Sequence, residues 1–263
     1  MTRSDGRKAD ELRPLKITPD FLAHPMSSVL IEMGGTKVIC AASMENKVPS
    51  WMKAQKVPGG WLTCEYGLMP AATHERCRRE ASAGKQGGRT MEIQRLIGRS
   101  LRGVVDLEAL GENTFYMDCD VFDADGGTRC CSITGASVAL AIALGRNECF
   151  AKAFRESVAA VSVGIVNGEL LLDLNYAEDS NAEVDMNVVM TASGKLIEVQ
   201  GTAEGAPFSR KQLNELLDLA EHGLKQIFVR QQQIVTSVLD AVEKQPSADN
   251  FGNIGDAFDK IKL

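Results

Sequence analysis

The sequence predicts an α+β protein built from two similar sub-domains. Each half of the 263-residue chain places strand-like segments first and helical segments after them. In the first half, a strand with alternating apolar side chains, Phe115 to Phe122, leads through a glycine turn into an apolar helix, Ser132 to Leu144. In the second half, two hairpin signals, Asn167-Gly168 and Ser193-Gly194, come before a long helical segment.

The first half opens with a predicted hairpin. Val29 to Glu32 and Lys37 to Ala42 are short β-type runs, and Gly34-Gly35 between them favours a turn. The segment from Val48 to Ala83 contains several prolines and glycines, which predicts a long irregular loop. A helix follows, with Thr90 as its expected N-cap. Its apolar stripe has helical spacing and consists of Ile93, Leu96, Ile97, Leu101, Val104 and Val105.

The second half predicts two hairpins and one helix. Val158 to Val166 is expected to pair with Glu169 to Tyr176, and Val184 to Thr191 with Lys195 to Gly201. Phe208 to Gln233 is the predicted helix. These segments suggest a first sub-domain at residues 1–150, a second at 151–240 and a polar tail at 241–263.

Composition excludes several classes of protein. The longest apolar run, Ala136 to Leu144, is much shorter than the ~20 residues of a membrane helix, so we expect no membrane association. The first ten residues are charged and lack the apolar stretch of a secretory signal. The seven cysteines form no Cys-x-x-Cys pair, which argues against a disulfide framework or a zinc site. These features indicate a cytoplasmic protein.

The segment Ala124-Asp-Gly-Gly-Thr-Arg129 has the features of an oxyanion site. It joins a strand to the N-terminus of a buried helix, where free backbone N–H groups carry partial positive charge. Gly127 allows close approach of the backbone, Thr128 supplies a hydroxyl donor, and Arg129 supplies a planar guanidinium suited to phosphate oxygens. A tight turn with a capping serine would look the same, so the segment alone leaves both interpretations open.

Thr73 to Arg102 is strongly basic within an acidic chain. Eight basic and three acidic residues give this segment a charge of +5, whereas the whole chain carries −6. Such segregation suits a polyanion. Arg89 follows two glycines at the predicted start of a helix, where an arginine helps to bind a phosphate rather than complementing the helix dipole. RNA contacts are predicted for four other arginines: Arg76, Arg79, Arg95 and Arg99. For the two on the predicted helix, a solvated or interface face is an equally good explanation.

Asp179 and Asp185 lie on either side of a turn between two predicted strands. Both side chains can therefore point at one spot. Paired carboxylates hold Mg²⁺ together with water and substrate oxygens, or one of them acts as a general acid. An acidic surface turn is an equally good explanation. A second acidic run, Asp118 to Asp125, could serve the same ends.

Nine features of the chain occur in a specific order and spacing. They are Arg3-Ser-Asp-Gly-Arg7, Gly35-Thr-Lys-Val38, Glu65-Tyr66, Gly87 to Arg102, Asp118 to Val121, Ala124 to Arg129, Asp179, Asp185 to Met190 and Glu198 to Glu204. Together they resemble the ribonuclease PH (RNase PH) family from about residue 2 to residue 240.

The resemblance implies the RNase PH fold, which is related to domain 2 of ribosomal protein S5. It implies a phosphorolytic 3′→5′ exoribonuclease, or tRNA nucleotidyltransferase, that trims precursor tRNA beyond its CCA end and acts on other RNA 3′ ends. Inorganic phosphate is then the co-substrate and nucleoside diphosphates are the products, and the reaction can run in reverse. The resemblance also implies a homohexamer built as a trimer of dimers.

The family's site residues map onto the segments already singled out. Arg89, Gly127, Thr128 and Arg129 correspond to the phosphate site, and Asp179 and Asp185 correspond to the acidic pair with Mg²⁺. Two departures stand out, since Ala71 occupies a position where relatives often carry arginine, and Cys130-Cys131 replaces a frequent Thr-Ala.

Three alternatives remain at this point. The chain could be a non-catalytic ring subunit like those of exosome cores, a hydrolytic Mg²⁺-dependent nuclease, or a fragment of polynucleotide phosphorylase. A non-catalytic ring subunit would lack part of the phosphate or acidic site. A hydrolytic nuclease would not need Arg89. Polynucleotide phosphorylase is much longer than this chain and carries further RNA-binding domains.

Overall fold

The first half of the chain forms a five-stranded mixed sheet. The computed structural model describes residues 3–243. The strands are β1 (Leu15–Pro19), β2 (Ser27–Met33), β3 (Thr36–Glu45), β4 (Trp61–Leu68) and β5 (Thr114–Asp123). They lie in the order β1-β2-β3-β5-β4, and only the pair of β4 and β5 is parallel.

Four helices accompany this sheet. They are α1 (Ser50–Gln55), α2 (Glu80–Ala83), α3 (Gly88–Arg102) and α4 (Thr128–Gly145). The two long ones, α3 and α4, pack against the sheet with their apolar faces. The side chains of β5 accordingly alternate between the core and solvent. Met117, Cys119 and Val121 are buried, whereas Asp120 and Phe122 are exposed. The half-buried strand predicted from the sequence is therefore confirmed.

The predicted loop from Val48 to Ala83 is wrong in part, because it contains β4 and two short helices. Leu62, Cys64 and Tyr66 of β4 alternate into the core. The backbone of this strand pairs with β5, which is distant in the sequence. In this pairing Trp61 of β4 lies opposite Thr114 of β5. A pairing of this kind leaves no local signal beyond a short alternation between glycines and prolines.

The start of α3 also differs from the prediction. The helix begins at Gly88 with Gly87 as its N-cap, so Thr90 lies inside the first turn. Glu80 provides the capping carboxylate, since it accepts from the backbone nitrogen of Gly87 at 3.0 Å and from the Thr90 hydroxyl at 2.8 Å. The cap therefore comes from a neighbouring helix and could not be found within the helical sequence itself.

The second half forms a four-stranded antiparallel sheet followed by one long helix. Its elements are β6 (Val158–Val166), β7 (Glu169–Leu172), α5 (Tyr176–Asp179), β8 (Val184–Thr191), β9 (Leu196–Ala203) and α6 (Arg210–Glu243). The strand order is β7-β6-β8-β9, which confirms both predicted hairpins. The α+β class with two βα sub-domains is confirmed as well.

Two boundaries in this half need correction. β7 ends at Leu172 rather than Tyr176, because Asp173 has a φ angle of +54° and interrupts the extended backbone. α6 continues ten residues past the predicted end at Gln233, to Glu243. The predicted tail at 241–263 therefore begins within a helix, and residues 244–263 lie outside the described part of the chain.

α4 lies between the two halves. It contacts β2, β3 and β5 of the first sheet and β6 and α6 of the second half. By length and hydropathy this helix could cross a membrane, but 89% of its apolar window is buried inside the protein. Burial on all sides explains why Arg129 is the one charged residue along α4, and α4 is the central core helix of the fold.

Candidate active site

A cavity of about 610 Å³ lies where the N-terminus of α4 meets the second sheet. The residues predicted to bind phosphate or to form the acidic pair all line it: Arg89, Gly127, Thr128, Arg129, Asp179 and Asp185. They come from α3, from the turn before α4 and α4 itself, from α5 and from β8. Further wall residues are Leu68, Thr73, His74, Glu75, Ala124, Gly126, Ser162, Tyr176 and Asn187.

The turn before α4 needs glycine at two successive positions. Gly126 and Gly127 have φ angles of +74° and +65°, which residues with a side chain rarely adopt. A Cβ atom on Gly126 would also lie 2.8 Å from the carbonyl oxygen of Leu174. The turn places Thr128 as the first residue of α4, so the unpaired N–H groups of the first helical turn lie at the cavity.

A buried arginine from the N-terminal segment holds this turn. Arg13 donates through Nη1 to the carbonyl oxygen of Asp125. Its guanidinium also contacts Asp173 at two points, with Nη2 to Oδ1 at 2.7 Å and Nε to Oδ2 at 3.1 Å. Sequence reasoning missed Arg13, because an arginine near the start of a chain carries no pattern that separates a buried side chain from a solvated one.

The orientation of Arg129 is set by two side chains from other elements. Its Nη1 donates to Oε1 of Gln200 on β9 at 2.6 Å, and Nε2 of Gln200 donates to Oε1 of Glu92 on α3 at 2.6 Å. The carboxylate on one side and the guanidinium on the other fix which way the amide of Gln200 points. Gln200 thus connects the two halves of the protein directly behind the predicted phosphate site.

Arg89 reaches the same cavity from the second position of α3. Its charge favours the ionised form of Asp179, as do the charges of Arg129 and Arg13. Two guanidinium groups and one helix N-terminus therefore converge on one space. This combination can hold a tetrahedral oxyanion from several sides.

The acidic pair lines the same cavity. Asp179 ends α5 and Asp185 is the second residue of β8, and their carboxyl groups are within hydrogen-bonding reach of each other. Burial and the neighbouring charge of Asp179 raise the pKa of Asp185 to about 6. Burial also raises the pKa of Asp179, although the nearby arginines oppose this. Asp185 is thus the member of the pair that keeps its proton to higher pH.

The short helix that carries Asp179 is anchored by buried arginines. Arg3 donates through Nε and Nη2 to both carboxylate oxygens of Glu178 at 2.7 and 2.6 Å, and through Nη1 to the carbonyl oxygen of Leu172 at 2.8 Å. Arg7 donates to the carbonyl oxygen of Asp173 at 3.0 Å. Asn175 and Glu178 close a capping box at the start of the helix. The family motif contains these arginines, but sequence reasoning assigned them no role.

The acidic pair fits a Mg²⁺ ion that completes its coordination on substrate. Oδ1 of Asp185 is buried and has no hydrogen-bond partner within residues 3–243, so one carboxylate oxygen is left over for a ligand. No group of three or more His, Cys, Asp or Glu side chains suited to a metal occurs in that same part of the chain. Mg²⁺ is commonly held by one or two carboxylates together with phosphate oxygens and water, and two carboxylates satisfy this pattern.

The four arginines predicted to contact RNA do not line the cavity. Arg76 and Arg79 are exposed in the segment between β4 and α3, close to the wall residue Glu75. Arg95 is exposed on α3. Arg99 pairs with Glu198 on β9, with Nη2 and Oε2 2.6 Å apart, so its charge is partly used within the protein. Their role stays a prediction.

The first two aspartates of the second acidic run line a different cavity. Asp118 and Asp120 project from the outer face of β5 into a space of about 770 Å³ that Glu65 and Arg79 also line. Burial raises the pKa of both aspartates. Arg89 and Arg129, the two arginines predicted to bind phosphate, do not line this space, so Asp118 and Asp120 do not share a site with them.

The departure at Cys130-Cys131 is accommodated inside the core. Both thiols are buried, and burial raises the pKa of each, so neither is a ready nucleophile despite its place in the first turn of α4. Cys130 donates to Oδ1 of Asn187 at 3.1 Å. The two cysteines therefore act as small buried core residues.

Comparisons with known proteins agree with this geometry. Residues 11–144 match the model of the 3′ exoribonuclease family RNase PH, domain 1, and residues 156–223 match its domain 2. The chain is 57% identical over 236 residues to the Ribonuclease PH of Neisseria meningitidis, an alignment that covers 88% of this chain and 97% of that protein.

Solved structures share the fold at lower identity. The crystal structure of rice Rrp46 has a TM-score of 0.69 at 21% identity and covers 90% of this chain and 100% of its own. The Archaeoglobus fulgidus exosome with RNA bound to the active site has a TM-score of 0.69 at 21% identity, covering 85% of this chain and 90% of its own. The family resemblance inferred from the motifs is confirmed, and the chain belongs to the RNase PH family of 3′ exoribonucleases.

Proposed function

We propose that the protein is a phosphorolytic 3′→5′ exoribonuclease that trims precursor tRNA beyond its CCA end and acts on other RNA 3′ ends. Nucleoside diphosphates are the products, and the reverse reaction adds nucleotides from them. One observation carries this proposal most: Arg89, Arg129 and the N-terminus of α4 converge on the same cavity as the pair Asp179 and Asp185.

The cationic wall binds the attacking inorganic phosphate. Arg89 and Arg129 hold its oxygens, and the Thr128 hydroxyl and the free N–H groups of α4 complete the cradle. Phosphate is itself the nucleophile, so the chain needs no serine, cysteine or histidine nucleophile. Holding phosphate in line with the terminal phosphodiester can lower the barrier by ~7–11 kcal/mol, because the encounter and its orientation are already complete.

The acidic wall serves the leaving group. Attack of phosphate on the terminal phosphorus breaks its bond to the 3′-oxygen of the preceding nucleotide, and that oxygen needs a proton. Asp185, with its pKa raised to about 6, keeps a proton in part of the population near neutral pH and can donate it. Asp179 then accepts the hydrogen bond from Asp185 and keeps it oriented.

Mg²⁺ fits the same wall. Asp179, joined by Asp185 when that carboxyl is ionised, would hold the ion, which would neutralise negative charge on the phosphate oxygens. The unpartnered Oδ1 of Asp185 supports this assignment.

The experiment follows a precursor tRNA with a 3′ extension, incubated with Mg²⁺, with and without inorganic phosphate. Nucleoside diphosphates should appear only with phosphate, and Arg89→Ala should lose at least a hundredfold in that rate because a charge-assisted contact to the nucleophile is gone. Arg155→Ala, which removes an exposed arginine paired with Asp106, is the matched control. Near-normal phosphate-dependent turnover of Arg89→Ala would contradict the proposal.

The same assay separates the alternatives. Nucleoside monophosphates released without phosphate would indicate a hydrolytic nuclease, for which the second cavity at Asp118 and Asp120 is the candidate site. RNA binding without any product would indicate a non-catalytic ring subunit.

We propose a cytoplasmic homohexamer arranged as a trimer of dimers, with sub-domains at 1–150 and 151–240. Family membership and the exposed apolar side chains on β9, Leu196 and Val199, support an assembly in which this edge is covered. Sedimentation velocity should give a particle of six chains of 28.4 kDa each. A monomer at micromolar concentration would contradict the assembly.

Contacts to the RNA are assigned to four arginines: Arg76, Arg79, Arg95 and Arg99. Substituting them should raise KM for tRNA without changing KM for phosphate.

A further inference from the structure

A buried tyrosine lies directly behind the phosphate cradle. Tyr66 is on β4, its side chain faces the core, and only 3% of the residue is exposed. Its hydroxyl donates to Oγ1 of Thr128 at 3.0 Å. Thr128 lines the cavity whereas Tyr66 does not, so the tyrosine can reach a bound anion only through the threonine.

The bond has a direction that matters for an anion. A threonine hydroxyl carries one hydrogen to donate and lone pairs that accept. When Tyr66 donates to Oγ1, the threonine's own hydrogen remains available on the cavity side. A hydroxyl that accepts one hydrogen bond is also a stronger donor in a second one. Phosphate oxygens accept hydrogen bonds, so this arrangement presents them with the donor they need.

The fold holds both partners rigidly. Tyr66 pairs in register with Cys119 of β5, and β5 continues through the glycine turn into Thr128 and α4. The tyrosine and the threonine are therefore tied to the same pair of strands. The Thr128 carbonyl in turn accepts from the Ser132 hydroxyl at 2.8 Å, which fixes the backbone of the first helical turn.

We propose that Tyr66 is a positioning residue for the nucleophile: its hydroxyl orients the Thr128 hydroxyl so that the latter donates to inorganic phosphate in the forward reaction and to the nucleoside diphosphate in the reverse reaction. This inference rests on the proposed function of the cavity. It assigns a role to a residue that belongs to the family motif Glu65-Tyr66 but lies outside the set of phosphate ligands.

The first test is the phosphate dependence of Tyr66→Phe, which removes one oxygen and keeps the ring in the core. KM for inorganic phosphate should rise about fivefold, the equivalent of one lost hydrogen bond, and the effect should appear in this KM rather than in kcat. KM for the nucleoside diphosphate should rise by a similar factor in the reverse reaction, whereas KM for RNA should stay the same. Tyr116→Phe is the matched control, because the Tyr116 hydroxyl binds Glu45 at the surface.

A double-mutant cycle with Thr128→Val tests the route through the threonine. If Tyr66 acts through the Thr128 hydroxyl, Tyr66→Phe should add less than a twofold further change in KM for phosphate once that hydroxyl is absent. Thr128→Ser provides a test that does not depend on the folding of any Tyr66 variant. It retains the oxygen that Tyr66 orients, so it should raise KM for phosphate less than Thr128→Val does.

The outcomes separate this inference from the proposed function. An unchanged KM for phosphate in Tyr66→Phe, or fully additive effects with Thr128→Val, would overturn the role of Tyr66 while Arg89→Ala still loses phosphate-dependent turnover. Equal damage from Thr128→Ser and Thr128→Val would overturn it as well. If Arg89→Ala also retained normal phosphate dependence, the cavity would not be the phosphate site, and both statements would fall.

Discussion

At the scale of single residues, the site depends on opposite charges kept close together in a partly buried space. Arg89 and Arg129 favour ionised carboxylates, whereas burial favours the neutral form. For Asp185 burial prevails, and the added charge of Asp179 raises its pKa to about 6. A carboxyl with this pKa can hold a proton for the leaving oxygen and release it again near neutral pH.

This pKa has a measurable consequence for stability. Asp185 binds its proton more tightly in the folded state than in the unfolded chain, where the pKa is near 3.8. The wild-type protein should therefore lose stability relative to Asp185→Asn as the pH rises from 4 to 7, by about 1–3 kcal/mol. Urea unfolding in metal-free buffer across this range measures the difference.

Asp106→Asn is the control with the opposite sign. Hydrogen bonds led by the one from Arg155 lower the pKa of Asp106, so its carboxylate stabilises the fold above pH 4 and this contribution is lost on acidification. The free energy of unfolding of Asp106→Asn should therefore fall further below that of the wild type as the pH rises. A difference between wild type and Asp185→Asn that does not vary with pH would contradict the raised pKa.

At the scale of elements, the short helix α5 depends on side chains from the N-terminal segment. Four residues cannot form a stable helix alone, since helix nucleation is unfavourable. Arg3 and Arg7 surround Glu178, with Nη2 of Arg3 2.6 Å and Nη2 of Arg7 3.5 Å from Oε2. The position of Asp179 is therefore determined by residues about two thirds of the chain length away.

Glu178→Ala should destabilise the protein strongly. It leaves the buried guanidinium of Arg3 without its carboxylate, which costs about 3–5 kcal/mol in comparable buried pairs. Chemical unfolding measures the loss. Glu183→Ala, which removes an exposed carboxylate near the same turn, should change the free energy of unfolding by less than about 1 kcal/mol. Equal effects of the two substitutions would show that the arginine cluster does not stabilise α5.

β9 contributes to the site through Gln200. Gln200→Leu removes the amide between Arg129 and Glu92, so the guanidinium of Arg129 becomes freer to rotate and KM for phosphate should rise about three- to tenfold. Gln233→Leu, which removes an exposed glutamine paired with Arg230 on α6, should have no effect. An unchanged KM in Gln200→Leu would mean that Arg129 is oriented by other contacts.

The elements differ in how far the sequence could predict them. β5 and the hairpins of β2 with β3 and β6 with β7 were predictable because alternation and glycine turns are local signals. β4 was not, since its pairing with β5 spans a long stretch of chain. The six predicted site residues that line the first cavity were predictable because helix N-termini, arginine side chains and paired carboxylates each have a chemical signature in the sequence. Arg13, Gln200 and Tyr66 were not, because their roles come from contacts that only the folded chain creates.

At the scale of the whole molecule, α4 makes the two halves interdependent. One helix supplies core side chains to both sheets, and its N-terminus is the place where both halves contribute to the cavity. The two βα sub-domains are therefore expected to unfold together rather than one after the other. Trp51 and Trp61 both lie in the first half, so tryptophan fluorescence follows that half while far-ultraviolet circular dichroism follows the whole chain. The two signals should change at the same urea concentration.

Gly135 in the middle of α4 tests this interdependence. A Cβ atom there would lie 2.6 Å from Cγ2 of Ile31 and 2.8 Å from Sγ of Cys40, so Gly135→Ala must push the helix away from the first sheet. Overpacking of this kind costs about 1–3 kcal/mol, which outweighs the gain of up to about 1 kcal/mol from better helix propensity. Both spectroscopic midpoints should fall by the same amount, because α4 is shared. The fluorescence midpoint could instead fall while circular dichroism shows a second unfolding transition at the wild-type urea concentration. That result would show that the second half folds independently of the helix that joins it to the first.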